Sequence, residues 1–145
     1  MGQQQLILLI LVTIIIGIAT VVALNVFGNS ASNANIEAVR QDMLTIAASS
    51  QGWYIKPESM GGGGKSFAGM KFTDINFPFK KLSTDGLKAV NMNGTYVLSN
   101  EGQTFILTAY PASITMAKGT KIVTTGKYMK CEVSLYNVKW LQSSP

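Results

Sequence analysis

The chain of 145 residues has no histidine and one cysteine, and no formally charged side chain stands before Glu37. Without imidazole, histidine acid/base chemistry and His-ligated metal sites are excluded. Cys131 by itself closes no intrachain bridge, so it is expected to be a small buried thiol in a strand. Aromatics are missing from the first 26 residues, and Phe27 is the one aromatic before Trp53, which argues against an aromatic stack along a helical core. Proline first occurs at Pro57, so nothing in the N-terminal third breaks a helix. The seven carboxylates are scattered, none at a spacing that predicts a general acid and base, and Ser or Cys nucleophiles lack a histidine partner. No enzyme, cofactor or metal is expected.

What the sequence does have is a run of 22 residues, 6–27, without a formal charge. That length suffices to cross a bilayer. The run is apolar all round, so as a helix it needs lipid or other helices on every side. Of the overall composition 47% is apolar, concentrated here, and the remainder is ordinary for a soluble domain, which implies a single span. Thr13 and Gly17, and again Ala19 and Ala23, are small residues four apart, a spacing that lets helix backbones approach closely in an apolar medium. With Leu6, Leu9 and Thr20 they are the candidates for packing against neighbouring helices. The bland alternative is that small residues are simply scattered in a membrane helix. A cleaved secretory signal fits less well, because its apolar core is about 7–15 residues behind a positive flank.

Beyond Gly28 a weakly helical stretch leads to Ile36, Val39, Met43 and Ile46 at helical spacing, with Glu37, Arg40, Gln41 and Asp42 largely off that stripe. The stripe is expected to pack on a C-terminal domain, with Glu37 and Arg40 as an (i, i+3) pair. A continuous helix over 3–50 would be about 70 Å long. Gly52 is expected to end it, and 53–82 to form a long connection pinned by Trp53, Tyr54, Phe67, Phe72, Phe77 and Phe79 but loose near its glycines. From Leu87 the pattern becomes β: strands at 89–92, 95–99 and 104–110 joined by an Asn93-Gly94 turn and a turn at 99–102, then 113–117, 121–125 and 128–140. The fold class expected is α+β, a long N-terminal helix on a small antiparallel meander of about four main strands. Its segments would be 1–28 (apolar helix), 29–52 (amphipathic helix), 53–86 (Gly-rich connection) and 87–145 (sheet).

Two short motifs and the net charge bear on function. Gly61-Gly62-Gly63-Gly64-Lys65-Ser66 is similar to the end of a phosphate-binding loop, but Ser59 occupies a required glycine position and no helix signal follows. Asn93-Gly94-Thr95 matches a glycosylation acceptor, yet a two-residue hairpin demands the same Asn-Gly. Eleven lysines and Arg40 against seven acids give +5, but the lysines are dispersed, which argues for solubility and edge protection over nucleic acid.

Gly2, the polar triplet Gln3-Gln4-Gln5, the uncharged helix, its amphipathic extension and a small antiparallel sheet together resemble the type IV pilin and pseudopilin superfamily. The resemblance implies a pilin-like fold and a structural role: a subunit that polymerises into a surface filament, or fimbrium, for adhesion or motility. It implies residence in the cytoplasmic membrane before assembly, homopolymeric partners, an assembly machinery, and a prepilin peptidase. Cleavage would fall at the Gly2-Gln3 bond, with N-methylation at Gln3, although a basic leader should precede Gly2. The family's glutamate at the fifth mature position is missing, since Ile7 or Gln5 stands there, so register would rest on helix packing. The family's mid-helix proline is also missing, leaving Gly17 and Gly28 as candidate points of unwinding, and so is the C-terminal disulfide. Other readings stay open: a single-span anchored extracytoplasmic binding domain, a minor pseudopilin of a secretion system, an archaeal-type pilin with a more sandwich-like β domain, and, from the net positive charge, a DNA-binding uptake pilin.

Overall fold

The computed structural model describes residues 2–112, 122 and 124–143. Among the described residues the elements are a long helix, α1 (Gly2–Ile55), a 3-10 turn at Glu58–Met60 and six strands. These are β1 (Lys81–Leu82), β2 (Lys88–Val90), β3 (Gly94–Asn100), β4 (Phe105–Pro111), β5 (Met129–Val133) and β6 (Val138–Ser143). The chain divides into two compact units, Met1–Ala34 and Asn35–Pro145.

In the first unit the helix continues without interruption through Gly17 and Gly28. Its two threonines stay helical by returning their hydroxyls to the backbone, Thr13 Oγ1 donating to the Ile10 carbonyl and Thr20 Oγ1 to that of Ile16, both at 2.8 Å. That satisfies each hydroxyl without water.

In the second unit the amphipathic stripe is buried as its spacing predicts, with Val39, Met43, Ile46, Ala47, Ser50 and Tyr54 on one face of α1. Glu37 and Arg40 form the expected pair at 2.8 Å, both half-exposed or more. Such a pair contributes less than about 1 kcal/mol. Gly52 does not end the helix, which continues one turn to Ile55. The reason lies in the glycine run. The amides of Gly63 and Lys65 donate to the carbonyls of Trp53 and Tyr54, both at 2.9 Å, and Gly64 donates to Lys56 at 3.1 Å. The run thus supplies the partners that the last carbonyls of a helix lack. A Cβ at Gly62 would collide with the Lys56 carbonyl, and one at Gly63 with the Ser66 carbonyl and the Trp53 ring. Of the glycines expected to loosen the connection, Gly62, Gly63 and Gly64 are closely packed, while Gly61 and Gly69 face open space.

The sheet is a meander of six antiparallel strands in the order β1-β2-β3-β4-β5-β6, against about four expected. The long strand expected at 128–140 breaks into β5 and β6 at Ser134, whose amide and hydroxyl close a turn with Asn137. Both predicted turns are displaced. The first is centred on Met92 and Asn93, Asn91 N donating to Gly94 O at 3.0 Å, and Gly94 belongs to β3 opposite Pro111. Glycine is required there because a Cβ would run into the Tyr110 carbonyl of β4. The second turn spans 101–104, Glu101 N donating to Thr104 O at 3.0 Å. The expected strand at 113–117 falls outside the described residues, as do positions 121 and 123 of the one expected at 121–125; its described residues 122, 124 and 125 are not in a strand.

One face of the sheet packs on α1 through Ala89, Tyr96, Leu98, Phe105, Leu107, Ala109, Met129, Cys131 and Val133. The connection seals this core with a line of rings: Tyr54 to Phe67 at 4.7 Å between centroids, Phe67 to Phe105 at 5.0 Å, and Phe72 to Phe77 to Tyr96 at 5.9 and 5.2 Å. Phe79, expected among the pinning aromatics, is instead exposed.

Candidate functional site

Every residue from 6 to 27 is solvent-exposed in the isolated chain, Leu9 at 67% and Phe27 at 73%. By length and composition this part of α1 is able to cross a membrane. At about 100° per residue, the seven packing candidates do not share one face. Leu6, Leu9, Thr13, Gly17 and Thr20 fall within an arc of about 80°. Ala19 and Ala23 lie on the neighbouring arc, in a shallow, open apolar groove lined also by Ile15, Ile18, Val22, Val26 and Phe27. Each face therefore offers its own small residues, and a Cβ at Gly17 or Gly28 would meet nothing within 4 Å. Gly2 and Gln3 form the start of α1.

The second unit holds a polar cluster that the sequence pattern did not reveal. Asp42, placed off the apolar stripe, is half-buried, and its Oδ2 accepts from Asn91 Nδ2 at 2.8 Å, Asn93 Nδ2 at 2.7 Å and Tyr96 OH at 2.6 Å. One helix carboxylate thus takes three donors from the β2–β3 loop and β3. Asn91 Oδ1 in turn accepts from the amides of Asn93 and Gly94 at 2.9 and 3.1 Å. Asn35 Nδ2 on α1 adds a bond to the Asn93 carbonyl at 3.0 Å. A signal was available: Asp42 adjoins the buried Met43, and two asparagines flank the turn that faces it.

The glycosylation reading finds no support in this geometry, since the Asn93 amide is engaged and Thr95 is fully buried. Nor does the Gly61–Ser66 stretch cradle an anion. The amides of Gly62, Gly63, Gly64, Lys65 and Ser66 all donate to backbone carbonyls, at 2.9 to 3.1 Å. Among the described residues no cluster of three or more Cys, Asp or Glu side chains is placed to hold a metal.

Two buried protons carry a measurable consequence. Burial pushes the Cys131 thiol from 9.0 up to about 12. Burial, and then the hydrogen bond to Asp42, pushes the Tyr96 hydroxyl well above its ordinary 10.0. Both groups hold their proton more tightly in the folded chain, so the stability they contribute is complete below the unfolded values and is lost as pH rises through the folded ones. Urea midpoints are expected to fall as pH climbs from 9.0 toward 12. Cys131→Ala should flatten the first part of that fall; an unchanged slope in the variant would remove the thiol from the account.

The class defined by these features is an α+β protein, one long N-terminal helix with an exposed apolar segment and a six-stranded antiparallel sheet. Comparison with family models, characterised proteins and solved structures returns no match.

Proposed function

We propose that this chain is a structural subunit of a type IV pilus-like surface filament, held in the cytoplasmic membrane before assembly. The observation that carries the reading is α1 itself. Residues 6–27 carry no charge and none of them is buried, while the same helix from Val39 to Tyr54 contributes one face to the core of the sheet unit. Leaving lipid, an all-round apolar helix must exchange lipid contacts for helix contacts, and fit at small residues then decides register. Copies of this chain present the same uncharged apolar helix, so the product is a homopolymer serving adhesion or motility without catalysis. A prepilin peptidase would act at the Gly2-Gln3 bond, Gln3 would be methylated, and an assembly machinery would extract the helix.

A second reading, a single-span anchored binding domain, draws on a cleft of about 840 Å³ lined by Tyr54, Ile55, Lys65, Gln103, Leu135 and the fully projecting Tyr136. Mass spectrometry of protein sheared from cell surfaces separates the two. Recovery in the sheared fraction, with an N-terminal peptide beginning at methylated Gln3, is expected. Recovery in membranes alone, unprocessed at Gly2, would overturn the filament reading and leave the anchored domain.

A further inference from the structure

The chain contains one Asn-Gly dipeptide, Asn93-Gly94. In flexible peptides this pair is the one most prone to spontaneous deamidation, because the unhindered glycine nitrogen reaches the asparagine side chain. The Gly94 nitrogen attacks Asn93 Cγ and gives up its proton to solvent, and the side-chain nitrogen leaves as ammonia. Water then opens the succinimide to aspartate or isoaspartate. Both nitrogens of that step, and the backbone carbonyl between them, are engaged here. The Gly94 N–H donates to Asn91 Oδ1 at 3.1 Å, and Asn93 Nδ2 donates to Asp42 at 2.7 Å. The Asn93 carbonyl accepts from Asn35 Nδ2 at 3.0 Å and from Ala112 N at 2.8 Å. Gly94 is buried and locked in β3 against the Tyr110 carbonyl, so its nitrogen has no room to swing toward Cγ.

We propose that Asn93 is a site of spontaneous deamidation gated by Asp42. While α1 lies on the sheet the site is inert, and when the seam opens the reaction proceeds. The product then opposes reclosure. Aspartate at position 93 would set a second carboxylate against Asp42 where an amide donor stood, and like charges at that separation repel. Isoaspartate would also lengthen the backbone directly before β3 and disturb its register with β4. Conversion at Asn93 therefore marks chains whose helix and sheet have once come apart.

The test is the rate of isoaspartate formation at Asn93, read by peptide mass spectrometry on the full chain in detergent micelles under mildly alkaline conditions. A synthetic peptide covering 88–97 serves as the unstructured reference. The folded chain is expected to convert more than about tenfold more slowly than the peptide, because only the opened fraction reacts. Asp42→Ala should move the rate toward that of the peptide, and Glu58→Ala, remote from the cluster, should leave it unchanged. If Asp42→Ala does not fold, raising urea on the wild-type chain replaces it, and conversion should follow the open fraction. Wild-type conversion at the peptide rate, a folded Asp42→Ala variant no faster than wild type, or a rate indifferent to urea would each overturn the proposal.

Discussion

If the chain assembles into the proposed filament, Ala19→Phe is expected to abolish assembly while leaving the sheet unit folded, with the variant protein remaining in membranes. Ala19 and Ala23 lie in a shallow, open apolar groove of the helix surface lined also by Ile15, Ile18, Val22, Val26 and Phe27. A benzyl group there fills the groove that a neighbouring helix must enter. In an apolar medium there is no hydrophobic drive to offset the lost fit, because lipid tails are as apolar as the partner. Gly17→Phe probes the neighbouring face of Leu6, Leu9, Thr13 and Thr20 and is expected to impair assembly as well. Ile14→Leu keeps volume and should assemble normally. Electron microscopy of sheared material reads the assembly; far-ultraviolet circular dichroism and the urea midpoint of the purified chain read the fold. Normal filaments from both phenylalanine variants would remove the packing argument.

Asp42→Ala is expected to destabilise the sheet unit by about 3 kcal/mol, since one side chain is removed and three donors lose their acceptor. Asn91 Nδ2, Asn93 Nδ2 and Tyr96 OH all converge on Oδ2, and Tyr96 is fully buried. Tyr96→Phe removes one donor and leaves the carboxylate with two, so its cost should be nearer about 1 kcal/mol. The double variant should cost less than the sum, because both changes break the same bond. Urea unfolding of the full chain in detergent measures all three. A loss below about 0.5 kcal/mol for Asp42→Ala, the range of ordinary surface substitutions, would show that water replaces the carboxylate without penalty.

Some elements were legible because a short-range pattern specifies them. The stripe of Val39, Met43 and Ile46 was readable from period alone, and the lone Cys131 is, as expected, a buried thiol in a strand. The turns were less legible, although their residue types were right. Asn93-Gly94 has the composition of a two-residue hairpin, but β3 takes Gly94 into the ladder, and close approach to β4 accounts for the glycine better than turn geometry does. The Gly61–Gly64 run misled for a related reason. Glycine permits flexible backbone and close packing equally, and the two differ only in what lies nearby. Of the candidate surface residues, the sequence supplied their identities and the helix supplied their angles, separating Ala19 and Ala23 from Thr13 and Gly17.

By itself the sequence determined that one long uncharged apolar helix precedes an amphipathic stretch and a β-rich remainder, since hydrophobicity and its period are properties of neighbours along the chain. Only the tertiary structure decided that α1 continues to Ile55, that the meander has six strands, and that Asp42 gathers Asn91, Asn93 and Tyr96. Those features depend on groups that are not chain neighbours, from Gly63 capping Trp53 to Asn93 meeting Asp42 across 51 residues. A carboxylate beside an apolar stripe reads as solvated until the loop that supplies its donors is folded against it.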